Sequence, residues 1–258
     1  MAFMIDPPQI AITLDVDWAP DFVIDFAAER LMANGVRATW FITHQSPALE
    51  RLKAHPDLFE LGIHPNFLAG SSHGSTAENV LDYCAALVPN ARCIRTHALV
   101  QSTPLLEQFL QRGIPVDVSL FLPHVSGLRP IEMWLRNAKL LRIPYFWEDD
   151  SEMCTPDSMW HVKPLLEGGA LSDGHWDLRI FNFHPIHVYL NSADMRPYEA
   201  LKRDVPRLSE AAPHQVEAHI YGGDGTRTLF DEVVAYLSAN GSGARISDIA
   251  AAWSEAKP

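Results

Sequence analysis

The sequence predicts an α/β protein with a distorted, TIM-like (β/α)7 barrel, in which mostly parallel strands are surrounded by helices. Short apolar, β-prone runs alternate with amphipathic helical stretches, which is the pattern of a parallel sheet. Seven such strands are predicted, and most of them end in polar residues, as expected where a barrel collects its chemistry at the carboxyl ends of its strands. An open doubly wound sheet is the alternative, but the sequence has no G-x-G-x-x-G or G-x-x-x-x-G-K-[ST] phosphate loop.

The first half of the chain alternates strands and helices with clear boundaries. Strands are predicted at residues 10–14, 37–43, 58–63 and 93–94, and helices at residues 20–34, 46–53 and 76–88. An apolar stripe that ends before Gly35 marks the first helix, because glycine is favoured just after a helix C-terminus. Ser46 followed by Pro47 marks the start of the second helix, as an N-cap followed by a first-turn proline.

The second half continues this alternation and then becomes helical. Strands are predicted at residues 116–122, 140–146 and 178–183, and helices at residues 103–113, 195–208, 228–240 and 247–255. Residues 151–177 have few periodic signals and are predicted to form a long connection, which inside a compact domain is often functional. Because no repeat or linker divides the chain, residues 1–258 are predicted to form a single catalytic domain.

Composition and charge exclude several classes of function. Of the 258 residues, 47% are hydrophobic and 20% are charged, which is ordinary for a globular protein. The net charge of −12 argues against nucleic acids and anionic membrane surfaces as partners. No apolar run is long enough for insertion into a membrane, and the N-terminal MAFMIDPPQI lacks the basic and apolar segments of a signal peptide. A cytoplasmic protein is therefore expected.

The stretch IAITLDVDW, residues 10–18, is the centre of the predicted site. A short buried strand delivers Asp15 and Asp17, which the alternation of an extended chain points to one side. Two such carboxylates repel each other unless a cation, a proton or a hydrogen-bond network holds them; helix capping or pairing with an arginine is the alternative interpretation. Other strand ends are predicted to bring further polar side chains to the same rim: His44, His64, Arg95, His97, Asp149 and His184.

Carboxylates and imidazoles on one rim suit a divalent metal ion, with Zn²⁺ favoured by an Asp/His ligand set. Asp17 and His64 are the first two candidate ligands, and the third is left open. An open catalytic site needs about three protein ligands and a water, whose pKa the metal lowers towards ~7. A lone histidine is more often a core residue than a ligand, but several histidines on one rim favour a metal site.

Five segments of the chain, TLDVDW, GIHPNF, RTHALVQ, FWEDD and FNFHPIH, follow one another within residues 10–190. In this order they resemble the motifs of the polysaccharide deacetylase family, also called the NodB homology domain or carbohydrate esterase family 4. Within this family the sequence resembles the WbmS-type deacetylases of bacterial O-antigen clusters. The resemblance implies a barrel that hydrolyses the acetamide group of a sugar.

The resemblance also implies roles at matching positions. Asp15 corresponds to the catalytic base and Asp17 to a metal-binding aspartate of the family's T-F-D-D-G motif, in which the two aspartates are adjacent. Here Val16 separates them. His64 corresponds to the first histidine of the H-[ST]-x-x-H motif, whereas Leu68 stands at the position of the second and cannot bind a metal.

The missing histidine leaves three candidates for the third metal ligand. His97 is preferred, because a residue anchored at a strand end is better held than one in a loop. His73 in the GSSHG loop and His44 from the neighbouring strand are the alternatives. Arg95 corresponds to the arginine that orients the base, and His184 in FNFHPIH to the general acid.

Five residues are candidates for substrate binding. Trp18 and Trp147 offer faces for a sugar ring, as does Trp176, with ordinary core packing as the alternative for each. Asp149 and Asp150 stand near the family's fourth motif, a D-x-x-D-W type segment.

The leading function is a metal-dependent hydrolase that removes an acetyl group from an N-acetylated sugar or glycan, in the biosynthesis of cell-surface O-antigen lipopolysaccharide. A metal-independent amidohydrolase acting on a small cyclic amide such as allantoin is the second hypothesis, favoured by the broken H-x-x-x-H spacing. A non-catalytic glycan-binding barrel is the third. The presence of Asp15 and His184, an acid–base pair that a pure binding protein does not need, argues against the third.

Overall fold

A mixed sheet of nine strands carries the fold in the computed structural model, which describes residues 10–167 and 176–256. The strands are β1 (Ile10–Asp15), β2 (Ala38–Ile42), β3 (Phe59–Ile63), β4 (Cys93–Ile94), β5 (Val116–Asp117), β6 (Ile131–Leu135), β7 (Ala138–Arg142), β8 (Trp147–Glu148) and β9 (Arg179–Phe183). Their order across the sheet is β6–β7–β5–β4–β3–β2–β1–β9–β8. Neighbouring strands are parallel except in the antiparallel β6–β7 hairpin.

The sheet curls so that its two ends approach each other. The segment that follows β5 meets the segment that precedes β8 through a bridge between Phe121 and Tyr145. Leu122 N–H donates to the Tyr145 carbonyl, and Tyr145 N–H donates to the Leu120 carbonyl, each over 3.0 Å. Because β8 in turn pairs with β9, the strands surround a common interior. This confirms the predicted distorted, TIM-like (β/α)7 barrel with mostly parallel strands.

Helices occupy most of the connections between strands. In the described part of the chain they are α1 (Asp21–Ala33), α2 (Pro47–Lys53), α3 (Ala77–Leu87), α4 (Thr103–Gln111), α5 (Asp149–Glu152), α6 (Val162–Leu166), α7 (Pro185–Leu190), α8 (Arg196–Asp204), α9 (Pro213–Glu217), α10 (Thr226–Ala239) and α11 (Ile246–Glu255). The predicted N-cap of α2 is confirmed, since the Ser46 hydroxyl accepts a hydrogen bond from Leu49 N–H over 3.3 Å. None of these helices combines the length and the apolar character needed to cross a bilayer.

The central strands divide their side chains between an outer core and the barrel interior. All residues of β2 are buried, as expected for a strand covered on both faces. Trp40 packs against Phe59 on the outer side, with ring centroids 5.6 Å apart. Phe41, the next residue, lies on the interior side under the guanidinium of Arg95. This alternation is what directs the polar residues of β1 and β9 into the barrel.

The sheet differs from the prediction between residues 116 and 148. The strand predicted at residues 140–146 is divided, because β7 ends at Arg142 and the barrel strand β8 begins only at Trp147. The strand predicted at residues 116–122 is regular only over β5. β6 is absent from the prediction because the turn after it places Arg136 at φ 52°, where short hairpins usually carry glycine or asparagine.

Helix α7 was also not predicted. Its residues are almost all buried, so the sequence shows no amphipathic period. The predicted connection at 151–177 contains α6, and its residues 168–175 lie outside the described part of the chain. That residues 1–258 form a single domain, and that the protein is cytoplasmic, both stay predictions.

Gly62 in β3 lies where the barrel interior has no space for a side chain. A methyl group there would lie 2.8 Å from Cys93 Sγ and 2.8 Å from ring atoms of Phe41. We expect Gly62→Ala to lower the free energy of unfolding by about 1–3 kcal/mol, the usual cost of overpacking a core, as measured by chemical denaturation. Gly222→Ala is the matched control, because a methyl group at Gly222 meets nothing within 4 Å. The control should change this free energy by less than about 0.5 kcal/mol. An equally small change in Gly62→Ala would contradict the prediction.

Candidate active site

The carboxyl ends of the barrel strands bring the predicted polar residues to one rim. Asp15 ends β1, while His64, Arg95 and His184 directly follow β3, β4 and β9. Parallel neighbours end on the same side of a sheet, so these side chains lie close together. The segments that continue the strands supply the rest of the cluster: Asp17, His97, Asp149 and Asp150.

A left-handed turn after β1 carries Asp17 into the site. Asp17 and Trp18 have φ angles of 42° and 55°, a region that costs non-glycine residues of order 1–3 kcal/mol and that occurs most often at functional sites. Trp18 N–H donates to Thr43 Oγ1 over 3.1 Å, and Val16 N–H donates to the Phe41 carbonyl over 3.1 Å. Val16, the residue inserted relative to the family motif, is buried in the core. The aspartates on either side of it both still reach the rim.

Asp17, His64 and His97 form a cluster with the spacing of metal ligands. Asp17 Oδ1 lies 3.1 Å from His64 Nε2 and 3.2 Å from His97 Nδ1. The three candidate ligand atoms lie within 4.8 Å of one another. Two ligand atoms of a tetrahedral zinc site with bonds of about 2.0–2.1 Å are about 3.3 Å apart. The spacing therefore fits a divalent metal ion.

The hydrogen bonds around the cluster support the same fit. Asp17 Oδ1 is buried and accepts no hydrogen bond from any described residue, although two imidazole nitrogens are near it. His64 Nδ1–H donates to the Arg95 carbonyl over 2.8 Å, which leaves the Nε2 lone pair free for a metal. Burial would raise the pKa of Asp17, but the imidazoles of His64 and His97 hold this pKa well below its usual value. An ionised carboxylate and a free imidazole nitrogen are what a metal ion requires.

His73 and His44 do not join this cluster. The His73 ring stacks on Tyr83 and contacts Trp18, with ring centroids 4.8 Å and 5.3 Å apart. Burial lowers the pKa of His73 to about 4, as expected for a neutral histidine that packs in the core. His44 Nδ1 lies 3.0 Å from the Thr43 hydroxyl. Of the three candidates for the third ligand, the structure places the preferred one, His97, beside Asp17 and His64.

Arg95 orients the Asp15 carboxylate. Both side chains are buried, and Arg95 Nη1 donates to Asp15 Oδ1 over 3.0 Å. Asn182 Nδ2 donates to Asp15 Oδ2 over 2.9 Å. Burial alone would raise the pKa of Asp15, but Arg95 and the imidazoles of His64 and His184 outweigh it and lower this pKa. Asp15 is therefore an ionised carboxylate, held at both oxygens, that can accept a proton.

His184 is oriented by a buried aspartate. His184 Nδ1–H donates to Asp149 Oδ1 over 2.6 Å, and the His184 backbone N–H donates to Asp149 Oδ2 over 2.8 Å. Nε2 therefore faces the rim, where it lies 3.7 Å from Asp17 Oδ2. Burial would lower the pKa of His184, but the carboxylates of Asp150, Asp149 and Asp17 raise it well above its usual value. The surrounding carboxylates therefore favour the protonated form of the ring.

Three polar residues at the site were not among the predicted ones. Glu148 Oε1 accepts a hydrogen bond from the Tyr145 hydroxyl over 3.1 Å, and burial raises the pKa of Glu148 to about 7. His187 Nε2 lies 3.0 Å from Asp150 Oδ1. Asn182, the third, could have been found from sequence, because it is a polar residue in an otherwise apolar buried strand.

The structure corrects the prediction that Trp147 binds substrate. Trp147 is fully buried and packs against Trp160 and Phe183, with ring centroids 6.2 Å and 5.0 Å apart. Trp176 packs against Trp253 of α11. Trp147 therefore packs in the core, as the alternative interpretation has it, and the half-buried Trp176 packs on α11.

Asp149 is corrected as well. It is fully buried and its carboxylate is occupied by His184, so it orients a site residue and does not face the substrate. Asp150, by contrast, has a side chain that is 45% exposed. Trp18 is half-buried at the rim, with its ring 5.3 Å from that of His97. These two keep the position expected of substrate-binding residues.

Comparison with known proteins identifies the family. The family model of WbmS-like polysaccharide deacetylases matches residues 12–202 of the chain. The chain belongs to this family. The crystal structure of WbmS from Bordetella bronchiseptica, a polysaccharide deacetylase assigned to O-antigen biosynthesis, has 33% sequence identity to the chain and a TM-score of 0.73. The match covers 89% of this chain and 90% of that one. The WbmS-like protein is therefore a carbohydrate deacetylase.

Two more distant crystal structures share the fold. A polysaccharide deacetylase from Mycobacterium smegmatis matches with 14% identity and a TM-score of 0.59, over 100% of this chain and 95% of that one. The 4-α-glucanotransferase from Thermococcus litoralis matches with 11% identity and a TM-score of 0.53, over 94% of this chain and 38% of that one. At these identities the likeness concerns the fold alone. The comparison with curated proteins returned no match.

The cluster geometry predicts which histidine the metal site requires. We expect His97→Ala to weaken the affinity for Zn²⁺ by at least about 100-fold, because one of three candidate protein ligands is lost. Calorimetric titration of chelator-treated protein with Zn²⁺ measures this affinity. His73→Ala is the matched control, since it removes a nearby buried imidazole outside the cluster and should change the affinity less than about threefold. Equal effects of the two substitutions would refute the assignment.

Proposed function

We propose that this WbmS-like deacetylase uses one divalent metal ion, with Zn²⁺ favoured, to remove the acetyl group from an N-acetylated sugar. The observation that carries the proposal is the convergence of Asp17, His64 and His97 beside two oriented groups of opposite role, Asp15 and His184. Amide hydrolysis needs a nucleophilic water, a base, a group that stabilises the oxyanion, and an acid for the leaving amine. Asp15 would be the base and His184 the acid, and a metal ion held by the other three residues would supply the remaining two needs.

Asp17, His64 and His97 would hold the metal ion. When bound, the ion supplies a Lewis acid that polarises the acetyl carbonyl and makes water more acidic. A mixed set of one carboxylate and two imidazoles favours zinc over magnesium or calcium, which prefer oxygen ligands throughout. The Arg95 carbonyl keeps His64 in the required tautomer through its contact with Nδ1–H.

Asp15 and His184 would move the protons. Asp15 is ionised and accepts a proton from the attacking water, while Arg95 keeps its carboxylate in place. His184 donates a proton from Nε2 to the nitrogen that leaves as the sugar amine. Asp149 stabilises the charged ring before this transfer through the bond to Nδ1–H.

Two residues at the rim and one related protein support a proposal for the substrate. The half-buried Trp18 offers an aromatic face to a sugar ring, and the partly exposed Asp150 carboxylate offers an acceptor for sugar hydroxyl groups. The assignment of Bordetella bronchiseptica WbmS to O-antigen biosynthesis supports an N-acetylated glycan or glycan precursor of that kind.

The two alternative functions fit the geometry less well. A metal-independent amidohydrolase would not need a carboxylate oxygen beside two imidazole nitrogens, 3.1 Å and 3.2 Å away, which is the spacing of metal ligands. A non-catalytic glycan-binding barrel would not need the oriented pairs Asp15–Arg95 and His184–Asp149.

The base is tested by acetate release from a nucleotide-linked N-acetylhexosamine. We expect the zinc-loaded protein to release acetate and Asp15→Asn to lower kcat by about 10²–10⁴-fold, because the amide keeps the shape but cannot accept a proton. Asp177→Asn is the matched control: Asp177 is also buried and paired with an arginine, 2.8 Å from Arg179, but it precedes β9 instead of following it. Wild-type kcat in Asp15→Asn, or no acetate release by the wild-type protein, would overturn the proposal.

The hydrogen bond between His184 and Asp149 predicts that substitutions of Asp149 and of its neighbour Asp150 have unequal effects. Asp149→Asn should lower kcat by about 10²–10⁴-fold, because the amide can hold His184 in the wrong tautomer and cannot stabilise the charged ring. Asp150→Asn should lower kcat less, since Asp150 Oδ1 lies 3.6 Å from His184 Nδ1 and not at 2.6 Å. Both variants are assayed for acetate release after their zinc content and thermal unfolding have been checked. Equal losses in the two variants would show that Asp149 has no special role.

A further inference from the structure

Asn182 lies at the centre of a buried polar layer directly beneath Asp15. It belongs to β9, in register with Thr13 of β1 and Glu148 of β8. The three side chains point into the barrel interior, where Asn182 hydrogen-bonds both of the others. Asn182 is completely buried. A buried amide costs free energy unless its donors and acceptors are paired, so its partners define its role.

All four hydrogen-bonding positions of the Asn182 amide are used. Oδ1 accepts hydrogen bonds from the Thr13 hydroxyl, over 2.9 Å, and from Arg95 Nη1. Nδ2 donates one hydrogen to Asp15 Oδ2 over 2.9 Å and the other to Glu148 Oε1 over 3.1 Å. The orientation of the amide follows from its partners, because a flipped amide would turn its oxygen towards two carboxyl groups.

This amide separates two acids that lie close together. Side-chain oxygens of Asp15 and Glu148 lie within 4.8 Å of each other, a distance at which two carboxylates repel. Arg95 binds only Oδ1 of Asp15, so Arg95 alone holds the carboxylate at one point. The bond from Asn182 to Oδ2 holds it at a second point, which fixes the plane of the carboxylate.

We propose that Asn182 is a positioning residue that fixes the rotation of the Asp15 carboxylate. The inference rests on the proposed function of Asp15 as the base. A misplacement of about 1 Å at a reacting group can cost about 10²-fold in rate. Because the partners of the Asn182 amide do not include Asp17, His64 or His97, its loss should leave metal binding intact.

The first test replaces the amide without changing its size. Asn182→Asp puts an oxygen in place of the Nδ2 donor, opposite Asp15 Oδ2. We expect kcat for acetate release to fall about 10–100-fold, while KM and the affinity for Zn²⁺ stay within about threefold of wild type. Asn182→Ala removes the amide without adding a charge and should show the same division between kcat and KM, so the test does not depend on one variant folding. A kcat within threefold of wild type in either folded variant, or a parallel loss of zinc affinity, would overturn the inference.

The second test shows whether the loss of kcat in Asn182→Asp arises through Asp15 or through Glu148. The double variant Asn182→Asp/Glu148→Gln restores an amide next to a carboxylate at these two positions, but it leaves Asp15 Oδ2 without its donor. We expect its kcat to stay at the level of Asn182→Asp alone. Recovery to within threefold of wild type would mean that Asn182 acts through Glu148, and the inference would be wrong.

A matched control separates positioning from general destabilisation. Asn191 is also buried, and its Nδ2 donates to the carbonyls of Tyr221 and Gly223, which lie outside the polar layer. Asn191→Asp should lower the thermal unfolding temperature while kcat stays within threefold of wild type, and a kcat loss equal to that of Asn182→Asp would overturn the inference. A wild-type protein that releases no acetate refutes the proposed function itself, whereas an active protein that is insensitive to Asn182 refutes this inference alone.

Discussion

The buried guanidinium of Arg95 is the charge on which the site depends. An unpaired cation inside a barrel would cost several kcal/mol, and here Asp15 neutralises it while the rings of Phe41 and Tyr145 cover it, at 4.6 Å and 4.3 Å from their centroids. Together with the imidazoles of His64 and His184, this positive charge keeps Asp15 ionised in the barrel interior. Glu148, which receives its hydrogen bonds from neutral groups, has its pKa raised to about 7 by the same burial.

The segment that carries Arg95 also carries one of the candidate metal ligands. In the family motif the second histidine lies four residues after the first, but Leu68 occupies that position here and His97 lies 3.2 Å from Asp17 instead. His97 follows Arg95 by two residues, so one strand end presents both the arginine beside the base and a candidate ligand. The strained φ of 52° at Ala98 shows that the chain bends sharply directly after this ligand. A displacement of this segment would therefore disturb the base and the metal together.

The rim could be predicted from the sequence better than the edge of the sheet, for a physical reason. Parallel strands end on the same side, so strand order alone brings the segments that carry Asp17, His64 and His97 to one rim. The β6–β7 hairpin depends instead on one unusual turn residue, Arg136, and the burial of Trp147 depends on tertiary packing. Neither leaves a periodic signal. The partners of a buried side chain, unlike its position at a strand end, require the full three-dimensional fold.

Two adjacent aspartates show how the fold adds what a motif cannot. Asp149 and Asp150 begin α5 and meet two histidines of the HPIH segment, but they do so through different ring nitrogens. Asp149 binds Nδ1 of His184, which turns Nε2 towards the rim. Asp150 lies 3.0 Å from Nε2 of His187, whose Nδ1 is turned towards the Ser192 hydroxyl, 3.1 Å away. Two chemically identical pairs thus have different uses, because only His184 keeps a nitrogen free at the site.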